Sequence, residues 1–107
     1  MNTNYQVEIP LEKIKAFCKK WKISELALFG SVLRSDFDQK SSDIDVLITF
    51  IPGHVWGWEI VTMKEELEII FNRPIDLVTK RAIENSKNPI RKKEILESYQ
   101  VVYDEAA

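Results

Sequence analysis

The sequence predicts an α/β domain in which a small mixed β-sheet is covered on one face by helices. Three observations carry that expectation. Apolar residues recur at helical spacing from Leu11 to Trp21 and again from Ile60 to Phe71. Short apolar runs bounded by turn residues lie at Ile23 to Phe29, Ile44 to Phe50 and Ile75 to Val78. Helical and strand patterns therefore alternate along the chain, which is the order that layers helices on a sheet.

Pro10 suits the first turn of a helix, because that turn does not need its missing N–H. Leu11, Ile14, Phe17, Cys18 and Trp21 then form one apolar stripe, while Lys13, Lys15, Lys19, Lys20 and Lys22 make a solvated basic fringe. Ile23 to Phe29 supplies the first strand. Gly30 follows its end, and Ser31 to Arg34 reads as the first turn of a helix. The polar stretch from Ser35 to Ser42 suits a connecting loop, with Asp36 and Asp38 as solvated or capping groups. In the next strand Asp43 and Asp45 share one face, because residues two apart point the same way; Ile44, Val46, Ile48 and Phe50 take the other.

Pro52 and Gly53 break that strand. The following helix buries Ile60, Met63, Leu67, Ile70 and Phe71 and turns Lys64, Glu65, Glu66 and Glu68 outward, with Trp56 and Trp58 expected in the core. Asn72, Arg73 and Pro74 stop it, and a short strand carries Asp76 among Ile75, Leu77 and Val78. Asn88 and Pro89 open a last helix with Ile90, Ile95 and Leu96 on its apolar side; Arg91, Lys92 and Lys93 read most simply as a solvated face, the alternative being contact with a partner or the triphosphate. Tyr99 to Tyr103 reads as the final strand, and Asp104 to Ala107 as a free tail.

With 107 residues, 45% of them hydrophobic, the expectation is one domain spanning residues 1–107. The net charge of −2 supplies no global basic field, which argues against direct nucleic-acid binding. No apolar run approaches membrane-spanning length and the first residues lack a secretory pattern, so a soluble, cytoplasmic protein is expected. Cys18 is the single cysteine, which excludes an internal disulfide, and its place on the apolar stripe points to packing. His54 has no second histidine to join it as a ligand and reads as a loop residue.

The chemistry concentrates between Gly30 and Asp45. Two carboxylates on one rigid strand offer the hard oxygens that Mg²⁺ prefers and can bridge two ions about 3.5–4 Å apart, the arrangement that serves phosphoryl and nucleotidyl transfer. Gly30 lets backbone approach a ligand closely, and the N–H groups of a helix beginning at Ser31 would face a triphosphate. The Ser31 hydroxyl and the Arg34 guanidinium would add hydrogen bonds and charge. Asp76 is a lone carboxylate in an apolar strand. It either joins Asp43 and Asp45, where three negative charges call for cations, or pairs with Arg73 or Lys80.

The stretch GSVLRSDFDQKSSDIDVLI resembles the G-S-x-x-R and S-D-x-D signature of the polymerase-beta-like nucleotidyltransferase superfamily, and within it the minimal nucleotidyltransferases, or MNT proteins. Asp76 in PIDLV falls where that family places its third metal carboxylate. Ser35 stands where many members have glycine. The resemblance implies a palm-like fold with Asp43, Asp45 and Asp76 as catalytic metal ligands for two Mg²⁺ ions, and Gly30, Ser31 and Arg34 as nucleotide-binding residues. It further implies a protein adenylyltransferase that moves AMP from ATP to a hydroxyl, a tyrosine in this family, on a partner HEPN toxin, as the antitoxin of a type VII-like pair. Two alternatives stand beside it: an antitoxin that neutralises its partner by binding alone, and a small-molecule nucleotidyltransferase of the aminoglycoside-modifying kind.

Overall fold

The computed structural model describes residues 9–30, 43–53 and 57–106. Over these residues the chain runs α1 (Leu11–Lys20), β1 (Ile23–Phe29), β2 (Ile44–Phe50), α2 (Glu59–Phe71), β3 (Ile75–Thr79), α3 (Lys80–Glu84), α4 (Pro89–Ser98) and β4 (Gln100–Asp104). The helix expected from Ser31, the loop aspartates Asp36 and Asp38, His54 and Trp56 lie outside the described residues.

The four strands form one mixed sheet in the order β3-β2-β1-β4. β1 pairs antiparallel with β2 and β4, whereas β2 and β3 run parallel. A parallel pair needs a long crossover, and α2 provides it. Period-two alternation sorts the strand residues to two sides. Leu26 and Leu28 of β1, Ile44, Val46 and Ile48 of β2, and Ile75 of β3 face the main core, where Ile14, Phe17 and Cys18 of α1 and Met63, Leu67 and Phe71 of α2 cover them. This is the helix-covered face that the sequence predicts.

The opposite face carries a second, smaller cluster. Ala27, Phe29 and Leu47 meet Ile83 of α3 and Ile95 of α4, with Val78, Leu96 and Tyr99 packed around them. The short helix α3 has no counterpart in the sequence reading. Its start is set by Thr79, whose side chain accepts a hydrogen bond from the Ala82 N–H at 3.1 Å. Asn88 caps α4 in the same way, accepting from the Arg91 N–H at 3.1 Å with Pro89 in the first turn. Lys92 Nζ donates to the Glu84 carbonyl at 2.9 Å and ties the two helices together.

Two further positions differ from expectation. Trp58 stands at the start of α2 with 79% of its surface exposed, so it is no part of the core. Asp104 belongs to β4, opposite Glu25 of β1, and the Glu105 N–H bonds to the Ser24 carbonyl at 2.9 Å, so the sheet extends into the expected tail. At the α1–α2 contact Glu66 accepts from Lys20 Nζ at 2.7 Å and from Trp21 Nε1 at 2.9 Å. Burial alone would raise the Glu66 pKa, but these two hydrogen bonds and the Lys20 charge outweigh it and hold the carboxyl below its ordinary value. Burial pushes the Cys18 thiol up to about 12, which keeps it inert at neutral pH.

Leu67 is fully buried between α2 and the sheet. Leu67→Ala is expected to cost about 2–5 kcal/mol, the range for deleting a buried leucine. Urea unfolding measures it; a cost well below about 1 kcal/mol would mean that α2 is not packed on the sheet as described.

Candidate functional site

β1 delivers the chain to the site. Its last residue, Phe29, lies opposite Asp45 in the antiparallel ladder, and Gly30 follows with φ +75°. That conformation favours glycine on backbone grounds. A second reason is specific to this fold: a Cβ on Gly30 would collide with Oδ2 of Asp45 and sit 3.2 Å from its Cγ. The bare glycine backbone is thus what lets the Asp45 carboxylate lie against the end of β1.

β2 and β3 bring the second carboxylate. Their parallel register places Asp45 opposite Asp76, Ile44 opposite Ile75 and Val46 opposite Leu77. The Ile44 N–H bonds to the Pro74 carbonyl at 3.0 Å and sets this alignment where the two strands begin. Because adjacent strands lie about 4.8 Å apart, directly opposed residues on one face are neighbours. The apolar partners on either side go to the main core. Asp45 and Asp76 are left together on the face that holds Leu47 and Val78. Asp45 is half-buried, and Asp43 and Asp76 are exposed. Among the described residues Asp76 has no ion-pair partner, so the alternative pairing with Arg73 or Lys80 is not what holds it.

α4 forms the wall facing this end of the sheet. A cleft of about 240 Å³ lies between them, lined by Phe29, Gly30 and Asp45 on the sheet side and by Arg91, Glu94 and Ser98 on the helix. Residues 91, 94, 95 and 98 share one helical face, and Ile95 anchors that face in the smaller apolar cluster. The sequence reading took Arg91 as part of a solvated face, with contact to a partner or the triphosphate as the alternative; it is exposed and at the same time lines the cleft. The only clue to its position was its spacing from Ile95, one helical turn away.

The donor set suits a hard cation. Asp45 and Asp76 offer acceptor-only oxygens from neighbouring strands, and Asp43 lies exposed just before β2 begins. No three His, Cys, Asp or Glu side chains among the described residues converge closely enough to cage a metal ion. Mg²⁺ does not require such a cage, since it is usually held by one or two carboxylates together with substrate phosphates and water. A larger cavity of about 630 Å³, lined by Thr49, Phe50, Lys80 and Arg81 among others, opens at the far ends of β2 and β3 and contains none of these carboxylates. Gly30, Asp43, Asp45 and Asp76 all lie within the described residues, whereas Ser31 and Arg34 lie outside them.

Residues 11–102 match a family model described as nucleotidyltransferase domain. Two proteins of Methanocaldococcus jannaschii assigned as protein adenylyltransferases, MJ1379 and MJ0128, are similar to this chain. They are 35% identical over 99 residues and 36% identical over 100, in each case 91% of this chain and 95% of the relative. Solved structures share the fold. A toxin-antitoxin structure with AMP-PNP superposes with a TM-score of 0.68 at 17% identity, over 90% of this chain and 74% of that one. The complex of tri-AMPylated Shewanella oneidensis HEPN toxin with MNT antitoxin gives 0.61 at 18% identity, over 88% and 69%. A minimal nucleotidyltransferase gives 0.59 at 23% identity, over 87% and 96%.

Proposed function

The chain belongs to the nucleotidyltransferase domain family, and from that premise we propose that it is an antitoxin which transfers AMP from ATP to a hydroxyl of a partner HEPN toxin. The observation that carries the reading is the opposition of Asp45 and Asp76 on one face of a parallel strand pair, beside a glycine that only a bare backbone can occupy. Its support from relatives is the protein adenylyltransferase assignment at 35% identity, together with the fold shared with the toxin-antitoxin structures.

In this reading Gly30 and Ser31 position the β and γ phosphates, and Arg34 neutralises part of their charge. Asp43, Asp45 and Asp76 would hold two Mg²⁺ ions, which when bound supply Lewis-acid charge to the transferring phosphoryl group and the leaving oxygen. Asp76 also accepts the proton of the acceptor hydroxyl, a tyrosine in the preferred case. The acceptor oxygen then bonds to the α phosphorus, the bond from that phosphorus to the bridging oxygen breaks, and pyrophosphate leaves. Holding acceptor and nucleotide in line converts a bimolecular encounter into an oriented one, which is a large part of what a small protein can contribute.

The test uses the purified chain, Mg²⁺, ATP and the product of the neighbouring gene, followed by intact mass of that partner. AMP-sized increments are expected with the native chain and are lost in an Asp43→Asn Asp45→Asn double mutant. A stable complex without any increment would replace this proposal with neutralisation by binding alone.

A further inference from the structure

We infer that Arg91 of α4 binds the terminal phosphates of the nucleotide across the cleft from Gly30; this rests on the nucleotidyl-transfer reading of the same site. Three neighbouring cations stand on α4, and the structure separates their roles. Lys92 is engaged with the Glu84 carbonyl, and Lys93 is exposed on the helix surface. Arg91 shares the helical face of Ile95, and this face closes the cleft over Gly30 and Asp45. The cap at Asn88 and the burial of Ile95 fix the rotation of α4, so the direction of Arg91 is set by packing at both ends of the first two turns.

Charge in the cleft makes the assignment. Asp45 and Glu94 line it with negative charge, and Arg91 is the one cation among its described lining residues. A polyphosphate entering there meets two carboxylates, and the Arg91 guanidinium is the described lining group that offsets them. The Arg91 side chain makes no ion pair or hydrogen bond with any described residue, so it is not committed to holding the fold together. Guanidinium is also the cation whose planar fork matches phosphate oxygens in pairs. Gly30 lines the opposite wall, where its bare backbone lets the Asp45 carboxylate lie close, so Arg91 faces the carboxylate end of the sheet across the cleft.

The experiment compares native protein, Arg91→Ala and Arg91→Lys by titration calorimetry with ATP and separately with AMP, both with Mg²⁺ and without any acceptor protein. Arg91→Ala is expected to weaken ATP binding roughly 10- to 100-fold, as loss of a charge-assisted phosphate contact does. AMP binding should change by less than about threefold, and Arg91→Lys should recover part of the ATP loss because it restores charge without the fork. Unaltered thermal melting of both variants is the accompanying expectation, since the side chain is exposed. Equal losses for ATP and AMP, or unchanged ATP affinity, would overturn the assignment. Unchanged ATP affinity with a weakened toxin complex would do so by moving Arg91 to partner docking. If the native chain binds neither nucleotide, the nucleotidyl-transfer reading fails and takes this inference with it.

Discussion

Asp45→Asn and Asp76→Asn are each expected to lower the AMP-transfer rate by roughly 10²–10⁴-fold, with the folded protein retained. The magnitude follows from the two contributions that a carboxylate makes here. Loss of charge that holds a catalytic cation removes several kcal/mol of transition-state stabilisation, and each ~1.4 kcal/mol is a tenfold change in rate. Loss of a general base costs a comparable ~10²–10⁴-fold. Asparagine keeps the shape of aspartate, and Asp76 is exposed with no ion-pair partner among the described residues, so its replacement should leave melting almost unchanged. The two variants should differ in their response to Mg²⁺. In the proposed mechanism Asp45, which lies against the end of β1, would hold the metal, so raising Mg²⁺ should partly restore Asp45→Asn; Asp76→Asn would also have lost the proposed base and should not recover. Initial rates across a Mg²⁺ titration measure this. Either variant working within a few-fold of the native chain would remove that carboxylate from the reacting centre.

Gly30→Ala is expected to damage both stability and transfer. Its φ of +75° is strained for an L residue, a cost of about 1–2 kcal/mol, and its Cβ would meet the Asp45 carboxylate. Gly53→Ala provides the comparison, because Gly53 also has a positive φ, +92°, but nothing lies within 4 Å of its Cβ position. Both variants should therefore lose stability through backbone strain, by roughly 5–15 °C in melting temperature. Only Gly30→Ala should lose transfer as well, since only there does the added methyl displace a site carboxylate. Calorimetric melting paired with a transfer assay separates the effects. If the two variants lose activity equally, the close approach of Asp45 to the end of β1 has no catalytic meaning.

Much of this architecture could be read from local pattern, for a physical reason. The alternation of Asp45 with Ile44 and Val46 assigns faces on any strand, since pleating places neighbours on opposite sides whatever lies next to them. The same holds for the stripe Ile14, Phe17 and Cys18 on a helix, and for stop signals such as Asn72, which adopts φ +56° at the end of α2. Asn88 and Pro89 announced α4 through hydrogen bonds made within one turn. Where a signal was as short as a single capping threonine, as at Thr79, α3 escaped the reading. Trp58 shows the limit of hydrophobicity as a guide. An indole reads as core, yet its position at the first turn of α2 turns it outward.

What the sequence by itself determined is therefore most of the described elements, α3 excepted, their buried faces, and the presence of Asp45 and Asp76 in strands with Asp43 just before the first of them. The tertiary structure alone decided that Asp45 stands opposite Asp76 and not one pair away, because the register is set by distant contacts such as the Ile44–Pro74 hydrogen bond and by the packing of Ile75 and Leu77. It alone placed Arg91 over the cleft. A charged residue on a helix has no preferred neighbour until the apolar side of that helix finds its surface. Here Ile95, by docking on Phe29 and Leu47, turned Arg91 toward Gly30.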